Sequence, residues 1–451
     1  MPQRVRWKSN LRPPSGKKVP AGGQKTVASG THFCATVGLT RDPYEPLEPF
    51  VLSIADVSQE SLYEVSCRVT DHYSAGMRQQ YRVDPCTRHG EKNTHNHQHK
   101  HTQPTKIVQY FISAEEIEWD YSPERDWEME NHHTTSEDSN WYMSPSPGNI
   151  FVEKGPNKIG SRYKKVVYRE YTDESFKVQK KRQFDQQHLG IMGPIIKAEV
   201  GEQIVITFKN KASRPYSITA HGIKASGAHI PVQPGYIIEL TWDVPQSSGP
   251  GVSDPNCISY AYYSSVNFIK DLYSGLFGTL VICRRGTLQG GDGPDRQRSD
   301  VEKEFALLFM VHDENQSWYL DDNIGTYLGV DPGNFTGDNE FEESNMMHGI
   351  NGKLYGNLHG LVMMRGQKVD WYLLGMGNEV DMHTVHFHAE TFTYKMDRVH
   401  RADVFDLFPG TFQTVEMVAV FTSAAGGTEG SVKTLLLLME LCLMAVGGLH
   451  Q

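Results

Sequence analysis

The sequence predicts an all-β protein, with several β-sandwiches laid out in tandem. Short runs rich in Val, Ile, Tyr and Phe recur along the chain with Gly, Pro and Asn between them, as strands and turns do in a sandwich. The composition agrees: Gly 41, Tyr 21 and Phe 19 among 451 residues lean toward strands and turns, while 38% apolar and 22% charged side chains are ordinary for a soluble protein. Such a length corresponds to about three domains with room for a buried core. At a net charge of -10 no nucleic-acid partner is expected.

The pieces follow in order. Residues 1–45 open with Arg4, Arg6, Lys8, Arg12, Lys17, Lys18 and Lys25 and no acid before residue 31. With their Pro, Gly and Ser they read as a disordered basic leader, and they lack the apolar stretch of a secretory signal. Residues 46–86 alternate in short β-like runs that end in Met77–Val83 and close on Pro85 and Cys86. Residues 87–105 form a linker whose His95, His97, His99 and His101 share one side of an extended chain. It reads as a solvated low-complexity segment, with loose metal binding as the alternative.

Residues 106–286 carry the strand-like runs KIVQYFISA, YKKVVYREY, EQIVITFKN, YIIELTW and FGTLVIC. A Gly-rich linker, 287–301, precedes a third piece, 302–420, with EFALLFMV, KLYGNLHGLVMM, KVDWYLLGM and TFQTVEMVAV as its strands. The tail, 421–451, differs in composition. Its stretch Leu435–Leu449 is nearly apolar, interrupted by Glu440, and shorter than the roughly 20 residues of a membrane span. A buried helix and a membrane-associating segment are the two readings.

Six cysteines, Cys34, Cys67, Cys86, Cys257, Cys283 and Cys442, are too sparse for a disulfide scaffold and too scattered for a zinc site. Cys257 and Cys283 flank a strand-like run, AYYSSVNFIKDLYSGLFGTLVI, so a bridge between neighbouring strands is one reading, although spacing alone leaves connectivity open. Oxidising surroundings would follow from it. The sequons at Asn315 and Asn334 point the same way with little weight.

Two motifs carry chemistry. In Asp381-Met382-His383-Thr384-Val385-His386-Phe387-His388 an extended backbone puts His386 and His388 on one face, where their imidazoles can reach adjacent metals, with His383 an odd step away. A zinc site or an aromatic-rich core strand are the competing readings. In the segment from Cys67 to Met77, Cys67, His72 and Met77 stand at offsets of zero, five and ten. Thiolate, imidazole and thioether are the ingredients of a blue-copper site lacking a second imidazole, the alternative being a buried free cysteine beside a structural histidine.

The runs YKKVVYREYTDESF, HLGIMGPIIKAEVGEQIVITFKNKASRPYSI, DPNCISYAYYSSVNFIKDLYSGLFGTLVIC, DENQSWYLDDNI and GNEVDMHTVHFH resemble, in order and spacing, the ceruloplasmin and hephaestin group of multicopper ferroxidases. The match covers roughly residues 50–419. The resemblance implies tandem cupredoxin-like Greek-key sandwiches: 46–86 as the end of the family's fourth domain, 106–286 as the complete fifth, and 302–420 as the first part of the sixth. It implies type 1 and trinuclear copper cofactors, oxidation of ferrous to ferric iron with oxygen reduced to water, a role in iron and copper homeostasis, and an extracellular or outward-facing anchored location. By the same resemblance His383 binds a type 1 copper, His386 and His388 serve the trinuclear cluster, and Cys67, His72 and Met77 close another type 1 site. Glu343 and His348 match an iron-binding pair, Asp71 an acid beside a type 1 ligand, and Glu379 an acid that closes a neighbouring domain's iron site. It also implies that Cys257 and Cys283 are bonded, while Cys86 lacks its expected partner.

The departures are specific. Ser66 and Arg68 flank Cys67 where histidines would feed a cluster, His221 stands alone where a His-x-His pair is expected, and FTSAAGGTEG replaces the thiolate segment after Val420. The family's cluster uses eight imidazoles, and this chain offers few. The expectation is a copper-binding family member, catalytically incomplete as a single chain, whose partners are iron and copper ions. The alternative is a non-enzymatic binding protein like the A domains of coagulation factors V and VIII.

Overall fold

A computed structural model describes residues 36–39, 61–84, 106–124, 149–225, 230–291, 293–395, 398–420 and 433–434. The His-rich linker, Cys34, Cys86, Cys442, the apolar tail and most of the basic leader lie outside the described residues. The chain divides into two compact units, one of residues 1–66 and 78–98, the other of residues 67–77 and 99–451. The first holds a three-stranded antiparallel sheet in which Arg78–Asp84 lies between Thr36–Leu39 and Ser61–Ser66.

The second unit is all-β in its layers. One sandwich pairs a five-stranded sheet, ordered Arg162–Tyr171, Ile107–Asp120, Gln203–Asn210, Ile237–Asp243 and Lys224–Ala225, with a four-stranded sheet of Ile196–Glu199, Phe277–Cys283, Cys257–Tyr263 and Thr219–Ala220. Alternation explains the layering. In Gln203–Asn210 the side chains of Ile204, Ile206 and Phe208 enter the core, where they meet Val108, Tyr110, Trp242, Leu280 and Ile282. Phe277–Cys283 is buried at every position, because its second face packs against the next sheet through Val281 and Cys283. A strand covered on both sides reads as a continuous apolar run, as FGTLVIC does.

That next sheet has six strands: Met346–Ile350, Lys303–Asp313, Lys368–Gly375, Phe412–Val418, Phe392–Lys395 and Val399–Ala402. Along Lys303–Asp313 the even positions Ala306, Leu308 and Met310 face the preceding sandwich. The odd positions Phe305, Leu307 and Phe309 face a separate core with Trp371, Val385, Phe387 and Leu407. The small sheet of His383–His386 and Val404–Leu407 contributes to that second core.

Cys257 and Cys283 are disulfide-bonded, and they sit directly opposite each other in the antiparallel register. The stretch between them is not strand throughout. A seven-residue helix, Phe268–Ser274, interrupts it, started by the Asn267 side chain accepting from Lys270 N–H and ended by Gly275 in the left-handed region. KLYGNLHGLVMM also differs from expectation: only Val362–Met363 is strand. Positive φ at Tyr355, Gly356 and Gly360 turns the chain before it can pair. Lys433–Thr434 forms a short strand beside Val362–Met363. Among the described residues no helix is long and apolar enough to cross a membrane.

Candidate metal centre

The loop Cys67–Met77 is closed on itself by backbone bonds. Cys67 N–H donates to Met77 O and Met77 N–H to His72 O, each at 2.9 Å, around the short helix Thr70–Ser74. The loop is also pinned from outside. Thr70 N–H donates to Gly377 O at 2.9 Å, the Thr70 and Tyr273 hydroxyls lie 3.1 Å apart, and the Arg68 guanidinium sits over the rings of Tyr73, Tyr263 and Phe268. Arg68 thus takes up the aromatic surface behind the cysteine by cation–π contact.

Within this frame Cys67 Sγ and His72 Nδ1 are 3.6 Å apart, and Cys67 is a free thiol. His72 Nε2 faces Glu379 Oε2 at 3.4 Å. This pattern fits a metal ligand. Metal–sulfur and metal–nitrogen bonds of about 2.3 and 2.05 Å at a tetrahedral angle put the two donors about 3.6 Å apart. A ligating imidazole commonly directs its other nitrogen at a carboxylate, which fixes the tautomer. The soft thiolate with an imidazole suits copper. Met77 follows in the loop and is 56% exposed. Asp71 is half-buried in the first turn of the helix beside His72.

Glu379 belongs to the segment after Lys368–Gly375, whose turn depends on Gly377. At φ +120° a Cβ there would lie 2.1 Å from Asp381 Oδ2, so only glycine fits. Asp381 is buried and accepts from His383 Nε2 at 3.2 Å, Val311 N–H at 2.5 Å and Asn378 N–H at 2.8 Å. Burial pushes its carboxyl above the usual range, while these donors pull it back. His383 therefore stands beside a carboxylate. The rings of His386 and His388 lie 6.3 Å apart, with His386 Nδ1 3.3 Å from Asp403 O.

His348 is largely buried under Phe151 and its pKa is lowered by burial, with Glu343 and Asp381 opposing. His221 lies between Tyr263 and Phe412, its pKa lowered to about 3 by burial and then by Arg68. Among the described residues no three His, Cys, Asp or Glu side chains converge into a cage by themselves. Asn315 is tied down at both ends of its amide, donating to Asp313 and Glu342 and accepting from Asn345, whereas Asn334 is exposed.

Sequence reasoning missed a buried ion pair. Lys165, in the strand Arg162–Tyr171, is fully buried and donates to Glu314 and to Tyr273 O, and the Tyr121 hydroxyl donates to Glu314 at 2.5 Å. Burial pushes Lys165 down and Glu314 up, and their attraction opposes both. The pair holds Tyr273, and through it Thr70 and the cysteine loop. No local signal marks it in the sequence.

Residues 170–286 match the family model described as multicopper oxidase. The chain is 50% identical over 363 residues to human ferroxidase HEPHL1, 48% over 373 residues to mouse hephaestin and 49% over 359 residues to human ceruloplasmin. These alignments take in 79%, 82% and 79% of this chain and 30%, 31% and 32% of those proteins. The chain thus spans about a third of the length of the curated relatives it matches. Residues 170–286 thus carry a multicopper oxidase domain, in a chain that is similar to these three proteins over about four fifths of its length.

Proposed function

We propose that this chain is a copper-binding module of ferroxidase type in which Cys67 and His72 hold the metal, and that by itself it does not complete oxygen reduction. The observation that carries the reading is the 3.6 Å separation of Cys67 Sγ from His72 Nδ1, with Glu379 behind the ring. Copper bound there would supply one-electron transfer. The chain's own residues prepare for it: Glu379 orients His72, the loop hydrogen bonds fix the spacing of Cys67 and Met77, and Thr70 ties the loop to the Gly377 turn. Ferrous iron is the substrate, for which Glu379, Asp71 in the helix turn before His72, and Glu343 acting on His348 are the candidate hard donors.

The second cluster of imidazoles falls short. His383 has a carboxylate but no thiolate beside it among the described residues, and His386 with His388 makes only a pair. Losing one supporting group of a metal site costs about 10 to 100-fold, and a missing cage costs more. The purified chain, loaded with copper and given ferrous iron under air, should oxidise it no faster than the same amount of free copper, and His386→Ala should change nothing. A faster rate that His386→Ala abolishes would refute the incompleteness.

A further inference from the structure

A cleft of about 970 Å³ opens where the strand Arg162–Tyr171, the segment 177–190 and residues 294–305 come together. Nine Lys and Arg line it against six Asp and Glu, so it carries an excess of positive charge. Four of these cations have acidic partners: Lys180 has Glu170 and Asp295, Lys197 has Glu304, Arg298 has Asp300 and Asp370, and Arg296 has Glu202. Arg169 is different. It is half-buried and its side chain has no hydrogen-bond or ion-pair partner among the described residues; Glu115, whose charge acts on it, is taken by Lys211, Tyr171 and Ser113.

Arg182 stands close enough to Arg169 for their charges to repel, and its guanidinium donates only to neutral acceptors, Gly190 O at 2.5 Å and Met192 O. Nε of Arg296 is buried in the same wall with no partner among the described residues. Burial lowers the pKa of both Arg169 and Arg182, the latter to about 10 with Arg169 contributing. Two guanidinium groups that line one cleft and repel each other, neither ion-paired to a carboxylate among the described residues, are costly unless an anion joins them. Planar N–H forks match the paired oxygens of a carboxylate or phosphate. Ile117, Trp119 and Ile195 give the cleft an apolar wall that strengthens such a contact by displacing water.

We infer that this cleft is a binding site for a small oxyanion carrying two or more negative charges, with Arg169 and Arg182 as its paired donors. Phosphate and a dicarboxylate share that chemistry, and the two arms of the test separate them. Inorganic phosphate and succinate are each titrated into the full chain by calorimetry at constant ionic strength, with chloride as the balancing salt. Saturable binding of one or both is expected. Arg169→Gln should weaken it by at least about tenfold, Arg169→Lys should weaken it less because one donor point remains, and Lys270→Gln, outside the cleft, should leave it unchanged. The Arg169 side chain makes no hydrogen bond or ion pair among the described residues, so its variants should match the parent's melting temperature in chloride. Heat that does not saturate with either anion, or binding that Arg169→Gln leaves intact, would overturn the assignment.

Discussion

Replacing His188 with Gln should remove a defined part of the protein's acid sensitivity. His188 is 1% exposed, its Nδ1 lies 2.5 Å from Asp185 O, and its Nε2 accepts from Ala306 N–H at 3.1 Å. One ring nitrogen must therefore carry a proton and the other must not. Protonation would set an N–H against the Ala306 N–H, and burial lowers the folded pKa to about 3 from an ordinary 6.5. Between those values the unfolded chain binds the proton and the folded chain does not. Stability from this group is thus complete above pH 6.5 and falls as pH drops below it.

Between pH 7.5 and 5.5 the loss amounts to roughly 1 kcal/mol for this one side chain. Gln can donate and accept in place of the ring but cannot titrate. Urea unfolding at the two pH values, for parent and His188→Gln, isolates the difference from all other titrating groups. The parent should lose roughly 1 kcal/mol more than the variant. Equal losses would show that His188 is not held neutral at the contact with the strand Lys303–Asp313.

Two further outcomes follow from the same packing. The Cys257–Cys283 bond closes a loop with a sequence separation of 26, so converting both to Ala should cost about 3 to 4 kcal/mol in a denaturant titration, and an unchanged midpoint would contradict this. Glu314→Gln leaves Lys165 charged and buried without its counter-ion, so it should cost about 3 to 5 kcal/mol, while Lys165→Met with Glu314→Leu should recover most of that. A double variant no better than the single one would show that the pair itself supplies the stability.

The sandwiches were legible because alternation survives wherever one face is buried, as at Ile204, Ile206 and Phe208. The helix Phe268–Ser274 was hidden in a strand-like run, since a short apolar helix has no distinctive period and only Asn267 and Gly275 mark its ends. KLYGNLHGLVMM misled for the opposite reason: its apolar residues fall between positive-φ turns. At the candidate centre, Cys67, His72 and Met77 form one loop and could be read together. The carboxylate behind His72 comes from Glu379, some 300 residues away, and only family resemblance pointed to it. Lys165–Glu314 and the Arg169–Arg182 neighbours are products of tertiary packing, with no spacing that announces them.

The central claim is that Cys67 and His72 form a thiolate–imidazole pair preset for copper. Its most direct test is the visible absorption spectrum of the chain titrated with cupric ion. An intense blue thiolate-to-copper band should appear and saturate near one equivalent, vanish in Cys67→Ser, and weaken in His72→Ala. A parent protein that binds copper without that band, or a Cys67→Ser variant that keeps it, would contradict the account.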